Sequence, residues 1–191
     1  MNTLNSKKAA FTRNLLLDAA RELAETIEVN DISFKLVSER ADISQRTMFR
    51  HFTSREEFLN AFTTREYGEL DLPDIPHSVE ELPSYVDVLY RKLDAQPRRV
   101  MMLLSADLLP RVLSTSGKER LERMRQVLAD AFPHCAEHEI IQTAANLRYV
   151  MSASSWRYYR MNFEFDLETS VSCARMIVTQ ALHYLRTANS N

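Results

Sequence analysis

Glycine is scarce in this sequence, since only Gly68 and Gly117 occur in 191 residues. Phosphate-binding glycine loops, dinucleotide-binding turns and sheets with many tight hairpins depend on glycine, because their backbones adopt conformations that other residues reach only at a cost. The sequence therefore disfavours these structures and favours helices.

Cysteine and long apolar runs are also lacking. Cys135 and Cys173 lie far apart and form no CxxC pair, so neither a disulfide framework nor a structural zinc site is predicted. No stretch approaches the roughly 18 apolar residues of a membrane span. The N-terminal MNTLNSKKAAFTRN is charged without the apolar centre of a signal peptide. We expect a cytoplasmic protein.

The overall composition is that of a soluble globular chain. Hydrophobic residues make up 45% and charged residues 26% of the chain, which is too apolar for a disordered protein. The formal net charge of -2 gives no sign of a nucleic-acid partner. Locally, however, Arg46, Arg50, His51 and Arg55 lie within ten residues that contain no acidic side chain.

Apolar spacing and capping residues predict four helices in the N-terminal region. Ser33, Ser44 and Ser54 are each placed to cap the helix that follows. The second and third helices are joined by about three residues, as in a helix-turn-helix. The four helices are predicted to begin at Phe11 and to cover about 34–41, 45–52 and 54–70.

The third of these helices has two different faces. Met48 and Phe52 lie four residues apart and are expected to pack inward. Gln45, Arg46 and Thr47 are then free to reach base edges in a major groove. Phosphate contacts are predicted for His51, Arg55 and Lys35, with a base contact as the alternative for Lys35. An unstructured arm with Lys7, Lys8 and Arg13 would neutralise further phosphates.

These segments resemble the DNA-binding domain of the tetracycline-repressor-like (TetR) family. The similar segments are AARELAE, SFKLVSERADIS, QRTMFRHF and TSREEFL, in that order. The resemblance implies DNA contacts at most positions of this region. With Arg50 added, the predicted DNA-binding residues are Lys35, Ser44, Gln45, Arg46, Thr47, Phe49, Arg50, His51 and Arg55.

Four positions depart from the family pattern. Asp42 stands where a turn glycine is usual, so the turn must form with a residue that tolerates positive φ less easily. Phe49 replaces a tyrosine and lacks its hydroxyl, which leaves apolar contact with a thymine methyl. Arg55 replaces a lysine and keeps the charge. Arg46 stands where glycine is common and adds a potential base contact.

The proline-rich stretch ELDLPDIPHSVEELP is the predicted domain boundary. We predict an all-α fold of about nine helices. It comprises an N-terminal three-helix helix-turn-helix domain, 1–56, a C-terminal helical ligand-binding and dimerisation domain, 57–191, and the helix 54–70 as their link. Pro110 is expected to kink or end its helix. The C-terminal helices are predicted at 84–95, 97–114, 117–132, 136–161 and 166–187.

By resemblance, the last two helices form a dimer interface and the middle helices enclose a ligand pocket. The alternative is that both apolar sets belong to an ordinary core. The predicted interface comprises Ala144, Met151, Ser155, Ala174, Ile177, Val178, Ala181 and Leu185. Methionine and aromatic side chains suit an apolar or aromatic small molecule. The predicted ligand-binding residues are Met101, Met102, Leu104, Met124, Tyr149 and Trp156.

No enzymatic, metal or cofactor site is predicted. His134, Cys135 and His138 have metal-ligand spacing, but no fourth ligand is near in sequence. Ser152, Ser154 and Ser155 lack a nucleophile motif. The predicted function is a homodimeric repressor that a small molecule releases from a palindromic operator. Two alternatives are a DNA-binding architectural factor or activator without a ligand switch, and a helical interaction protein or enzyme that uses the helix-turn-helix as a scaffold.

Overall fold

The computed structural model describes residues 3–188, and within them the chain forms eleven α-helices and no β-strand. The all-α prediction is therefore confirmed. The helices are α1 Thr3–Leu23, α2 Phe34–Arg40, α3 Gln45–His51, α4 Arg55–Gly68, α5 Leu82–Asp94, α6 Pro97–Leu103, α7 Leu109–Val112, α8 Lys118–Ala131, α9 Glu137–Val150, α10 Ala153–Arg157 and α11 Leu167–Ala188.

There are more helices than the predicted nine because two long predicted helices are interrupted. The segment 97–114 breaks between Leu103 and Leu109, and Pro110 lies in the first turn of α7, where its missing N–H costs nothing. The segment 136–161 breaks at Ser152, whose hydroxyl accepts from the Ser155 N–H and caps α10. Short π-helical turns follow α7 and α10.

Helices α1 to α3 pack around one apolar centre. Leu16, Ala20, Val37, Met48 and Phe52 are all fully buried there. The three predicted caps are present: the hydroxyls of Ser33, Ser44 and Ser54 accept from the N–H groups of Leu36, Thr47 and Glu57. Serine caps of this kind contribute about 1 kcal/mol each. Local sequence therefore fixes where α2, α3 and α4 begin.

The turn between α2 and α3 depends on Asp42. Asp42 has φ of 53°, in the left-handed region that glycine occupies most easily. Aspartate is among the residues that tolerate this region best. The Ile43 N–H then donates to the Ser38 carbonyl at 2.9 Å and closes the turn. The turn thus forms without glycine, as the sequence requires.

Helix α4 is bonded to elements on both sides of it. Arg65 forms an ion pair with Asp18 and donates to the Asn14 carbonyl of α1. The buried Glu66 accepts from Arg99 of α6 at 2.9 Å. Glu56 is paired with Arg111 of α7. Helix α4 is therefore tied to α1, α6 and α7 at the same time.

The C-terminal helices form a second packed layer. Helix α11 packs against α5 and α9, and α8 packs against α9. Trp156 of α10 is fully buried and donates to Asp94 of α5 at 3.2 Å. Across the described part of the chain, the search for a helix with the length and hydropathy of a membrane span finds none.

Candidate nucleic-acid interface

Buried aromatic contacts hold α3 in place. Met48 and Phe52 are fully buried, and the Phe52 ring lies edge-on to Phe58 of α4, with 5.2 Å between ring centroids. Aromatic pairs of this geometry stabilise beyond the area that they bury. The inward face of α3 predicted from the four-residue spacing is therefore confirmed.

The opposite face of α3 presents polar side chains to solvent. Gln45, Arg46 and Arg50 are exposed, and none of them forms a hydrogen bond or an ion pair with any described residue. Their donors are thus not committed within the chain. Arginine can donate twice to guanine and glutamine can pair with adenine in a major groove, so this face can read base edges.

The hydroxyls at the start of α3 are engaged with each other. Besides capping the Thr47 N–H at 3.2 Å, the Ser44 hydroxyl lies 3.0 Å from the Thr47 hydroxyl. A hydroxyl has one donor and two acceptor sites, so each can still contact a phosphate. Their first contribution is to set where the helix begins.

Phe49 projects from the helix with an apolar surface. Its side chain is 55% exposed and packs edge-on against Phe34 of α2, with centroids 5.1 Å apart. The ring is supported on one side and open on the other. The exposed part of the ring offers an apolar surface, and its contact with a thymine methyl stays a prediction.

Lys35 is exposed and only weakly paired. Its ammonium lies 3.9 Å from the Glu39 carboxylate one turn later on α2. Exposed pairs of this type contribute little to stability. Lys35 can therefore exchange this partner for a phosphate at low cost.

The Arg55 guanidinium is engaged within the chain, and the phosphate contact predicted for this residue stays a prediction. Its guanidinium donates to the carbonyls of Ile32 at 2.6 Å, Asn30 at 3.0 Å and Val29 at 3.1 Å. These carbonyls lie in the segment between α1 and α2. Arg55 thus ties this segment to the start of α4.

The predicted unstructured arm is corrected. Helix α1 begins at Thr3, so Lys7 and Lys8 lie on its exposed first turns rather than on a loose arm. Arg13 packs inward: it donates to the His51 carbonyl at 2.8 Å, and its guanidinium carbon lies 4.1 Å from the Phe52 ring centroid. Arg13 therefore fixes α3 to α1, and it also lies 3.8 Å from the Glu57 carboxylate of α4.

His51 is half-buried beside two arginines. Its Nε2 atom is buried and has no hydrogen-bond partner within residues 3–188. Burial lowers the pKa of His51 below 6.5, and the charges of Arg50 and Arg13 lower it further. His51 is thus neutral at pH 7 in the free protein, and adds no charge to this face until an anion approaches.

We expect an NMR titration of the His51 ring to show a midpoint below pH 6.5 in the free protein. Between pH 6.5 and that midpoint, unfolded chains bind a proton that the folded protein does not, so acidification lowers stability through this residue. A bound duplex should raise the midpoint if a phosphate faces Nε2. His51→Gln identifies the signal, and a free-protein midpoint above 6.5 would contradict the proposed environment.

The predicted dimer interface is largely core, which is the main correction in the C-terminal region. Six of its eight residues are buried within one chain: Ala144, Met151, Ser155, Ala174, Val178 and Leu185. They cannot meet a partner because they pack between α5, α9 and α11. Ile177, at 36% exposed, and the partly buried Ala181 remain at the surface.

A different apolar face of α9 and α11 is exposed. The Tyr184 hydroxyl of α11 donates to Glu139 of α9 at 2.9 Å, which fixes the two helices side by side at this surface. We use the name α9–α11 face for the solvent-exposed surface of these two helices, whose exposed large apolar side chains are Ile141, Tyr149, Met176, Ile177 and Tyr184.

The predicted ligand-binding residues do not form one pocket. Met124 and Trp156 are fully buried in the core, and Tyr149 is 69% exposed on the α9–α11 face. Met101, Met102 and Leu104 do line a common cleft of about 1040 Å³, together with residues of α1, α4 and α10. We call it the α1–α6 cleft.

The sequence analysis missed the charged residues of the α1–α6 cleft. Arg21, Glu66, Arg99 and Arg157 line it, yet they come from four helices spread over the chain. No local spacing connects them. Only the observation that Glu66 falls on the inward side of helix α4, a position where a carboxylate needs a partner, could have indicated a polar site.

The segment from His134 to His138 forms no ligand cluster. Within residues 3–188, no three His, Cys, Asp or Glu side chains are arranged to hold a metal ion. The Cys135 thiol instead donates to the Leu185 carbonyl at 3.4 Å.

Comparisons with known proteins agree with this geometry. Residues 16–62 match the family model described as bacterial regulatory proteins, tetR family. No curated protein matches the chain significantly. A candidate regulator of fatty acid metabolism from Clostridium perfringens has a similar fold, with a TM-score of 0.58 and 18% identity over 87% of this chain and 97% of its own.

A second solved structure is less similar. It is the TetR family repressor AlkX from Dietzia sp. strain DQ12-45-1b, implicated in biodegradation of n-alkanes, with a TM-score of 0.45 and 14% identity over 90% of this chain and 95% of its own. At 18% identity, the Clostridium perfringens structure shows a likeness of fold alone. The matched segment, 16–62, contains α2 and α3, the C-terminal part of α1 and the first half of α4.

Proposed function

We propose that this chain, whose residues 16–62 match the tetR family of bacterial regulatory proteins, is a homodimeric repressor released from a palindromic operator by a small molecule. The DNA-binding part rests on one observation above all. The first turn of α3 exposes Gln45 and Arg46 without intramolecular partners, while Met48 and Phe52 fix the helix from behind.

Two copies are needed because one helix-turn-helix reads only a few base pairs. A symmetric dimer would place its two α3 helices in successive major grooves, about 34–36 Å apart or a multiple of that distance. Operator symmetry would then mirror protein symmetry. The chain's own candidate for pairing is the α9–α11 face, because its two helices carry five large apolar side chains that are exposed to solvent.

Ile177→Asp is expected to convert the dimer to monomer, because it places a charge in an apolar contact between subunits. Sedimentation velocity at micromolar concentration should show a dimer for the unsubstituted protein and a monomer for the variant. Operator affinity should fall at least tenfold, since the two heads would no longer bind together.

Leu121→Asp is the matched control. Leu121 lies on α8 with 39% of its side chain exposed, close to the 36% of Ile177, but outside the α9–α11 face. It should leave the dimer intact, while both variants keep the helical signal of the folded chain. A dimer that survives Ile177→Asp would remove this face from the proposed interface.

Release by a ligand requires that the ligand bind the DNA-free arrangement more tightly than the DNA-bound one. Couplings of about 1–3 kcal/mol are typical. The bonds from α4 to α1, α6 and α7 offer a physical route for such coupling. If a ligand binds but leaves operator affinity unchanged, the protein is a DNA-binding factor without this switch.

Selection of bound sequences from a random duplex library, at near-physiological salt, tests the proposed DNA-binding function. We expect enrichment of one sequence with two symmetric halves. Affinity for it should fall steeply as salt rises, because bound phosphates release counterions. A folded protein that enriches no sequence would contradict a sequence-specific regulator.

A further inference from the structure

We propose that the α1–α6 cleft binds an amphipathic organic anion, with its acidic group on Arg157 and its apolar part along Met101, Met102 and Leu104. The proposal rests on the proposed function in one respect, since it assigns the regulatory ligand of that function to this cleft. It replaces the expectation of a purely apolar ligand with a molecule that carries one carboxylate or phosphate.

The cleft has the size of a ligand site and is built from both parts of the chain. Its volume of about 1040 Å³ is at the upper end of the range for small-molecule sites. One set of lining residues comes from α1 and the segment after it, from Arg21 to Val29. The other set comes from Ala95 to Ser105, which includes α6, with Glu66 of α4 and Arg157 of α10.

Buried polar atoms in the cleft lack partners within the described residues. They are Nε of Arg157, the hydroxyl oxygen of Ser105 and Oε1 of Glu66. Leaving such an atom unpaired is unfavourable, and more so for a charged group. Buried polar groups in proteins are nearly always satisfied, so the two donors among them, Nε of Arg157 and the Ser105 hydroxyl, indicate a site for an acceptor group of a ligand.

The charge of the cleft favours an anion. Glu66 is fully buried and already accepts from Arg99 at 2.9 Å, which neutralises it. Arg21, Arg98 and Arg157 also line the cleft, and none of them pairs with a carboxylate in the described chain. Glu25 and Glu28 line it too, but both are exposed to solvent.

Arg157 is the strongest of these positions. It is half-buried, and a guanidinium held partly out of water without a counter-ion is unfavourable unless an anion joins it. Arginine can donate two parallel hydrogen bonds to a carboxylate or phosphate. An acidic ligand group would therefore gain most at Arg157, with the Ser105 hydroxyl as a further donor.

The rest of the lining is apolar and adaptable. Met101, Met102 and Leu104 lie on the α6 side, and Ala24, Ile27 and Val29 lie on the α1 side. Methionine side chains adjust to ligands of irregular shape. An alkyl or aryl group attached to the acid could thus contact both sets of lining residues at once.

Such a ligand would couple binding to DNA release. It would contact the α1 side, which carries α3 through Arg13, and the α6 side, which is bonded to α4 through Arg99 and Glu66. By bridging both sets of lining residues it would favour one spacing between the parts of the chain. The spacing between the two α3 helices of a dimer would change with it.

Calorimetric titration of the full-length protein with decanoate tests the proposal, with decyl phosphate, 1-decanol and decylamine for comparison, all below their micellar concentrations. We expect decanoate or decyl phosphate to bind at least tenfold more tightly than the alcohol, and decylamine not to bind. The stronger of the two acids identifies the preferred acidic group. Equal binding of acid, alcohol and amine would overturn the assignment.

Two variants locate the site. Arg157→Gln should weaken decanoate binding at least tenfold, whereas Arg175→Gln, an exposed arginine on α11 outside the cleft, should leave it unchanged. Ser105→Ala removes one buried hydroxyl and should weaken decanoate binding several-fold. This second variant keeps the test usable if Arg157→Gln does not fold. Unchanged affinity in Ser105→Ala and in a folded Arg157→Gln would refute the site.

The outcome is separable from that of the proposed function. Selection of duplex sequences does not need the ligand, so a protein that selects an operator but binds no decyl anion keeps its DNA-binding function and loses this site. A protein that binds decanoate but selects no duplex keeps this ligand site and loses the proposed DNA-binding function. Decanoate that lowers operator affinity of the unsubstituted protein but not of Ser105→Ala supports both.

Discussion

Arg46→Ala is expected to lower affinity for the selected operator by about 1–3 kcal/mol, roughly five- to 150-fold. Arg46 lies in the exposed first turn of α3 and forms no hydrogen bond or ion pair with the described residues. Removing this side chain should therefore change the stability of the folded protein little, and the loss of operator affinity measures a contact with DNA. The loss should be greatest for the selected sequence and small for unrelated duplexes, so discrimination falls.

Lys35→Ala is the matched comparison for Arg46→Ala. Lys35 is exposed on α2 beside Glu39, in position to meet a phosphate rather than a base. It should weaken binding about equally for every duplex and reduce the salt slope by about 1. Anisotropy titrations of both variants against the operator and a scrambled duplex decide the matter. Equal losses for Arg46→Ala on both duplexes would contradict its role as a base reader.

Arg55→Met is expected to destabilise the protein by about 2–4 kcal/mol, because three carbonyls lose a charged donor. These carbonyls belong to Val29, Asn30 and Ile32, and methionine keeps the length of the side chain without its N–H groups. The segment between α1 and α2 would loosen, and α3 would lose its fixed position. Urea unfolding followed by circular dichroism measures the change.

Arg46→Met is the matched control for Arg55→Met. It removes the same charge from a side chain without intramolecular partners, so stability should stay within about 0.5 kcal/mol of the unsubstituted protein. The two roles considered for Arg55 give opposite results. Unchanged stability with uniformly weaker DNA binding would support Arg55 as a phosphate contact.

The N-terminal part of the fold was predictable because its signals are local. Ser33, Ser44 and Ser54 cap the helices that follow them, and a cap depends only on the next three residues. The positive φ of Asp42 follows from the length of the turn between two short helices. The four-residue spacing of Met48 and Phe52 likewise defines the inward face of α3.

Arg13 and Arg55 show what local reading leaves open. Their positions suit phosphate contact, but each side chain is long enough to reach a backbone carbonyl more than twenty residues away in sequence. Whether a guanidinium points outward or inward depends on which carbonyls the packed helices bring close. That arrangement depends on the tertiary structure, so the spacing of residues in the sequence cannot distinguish an outward guanidinium from an inward one.

The C-terminal errors have a related cause. An apolar stripe on a helix has the same pattern whether it faces its own core or a second chain, and Ala174, Val178 and Leu185 of α11 face the core. The exposed residues Met176 and Tyr184 were not recognised in the sequence, because the buried apolar stripe of α11 is the more regular pattern. The α1–α6 cleft was unreadable for another reason, because its residues come from helices that meet only in the folded chain.

The most direct test of two reading heads on one duplex is sedimentation equilibrium of the protein with its selected operator, compared with a duplex that contains only half of it. We predict two chains on the full operator and an affinity for the half-operator at least a hundredfold weaker, because only one α3 would be engaged. One chain per full operator, bound as tightly as the half, would contradict a dimer that reads a palindrome.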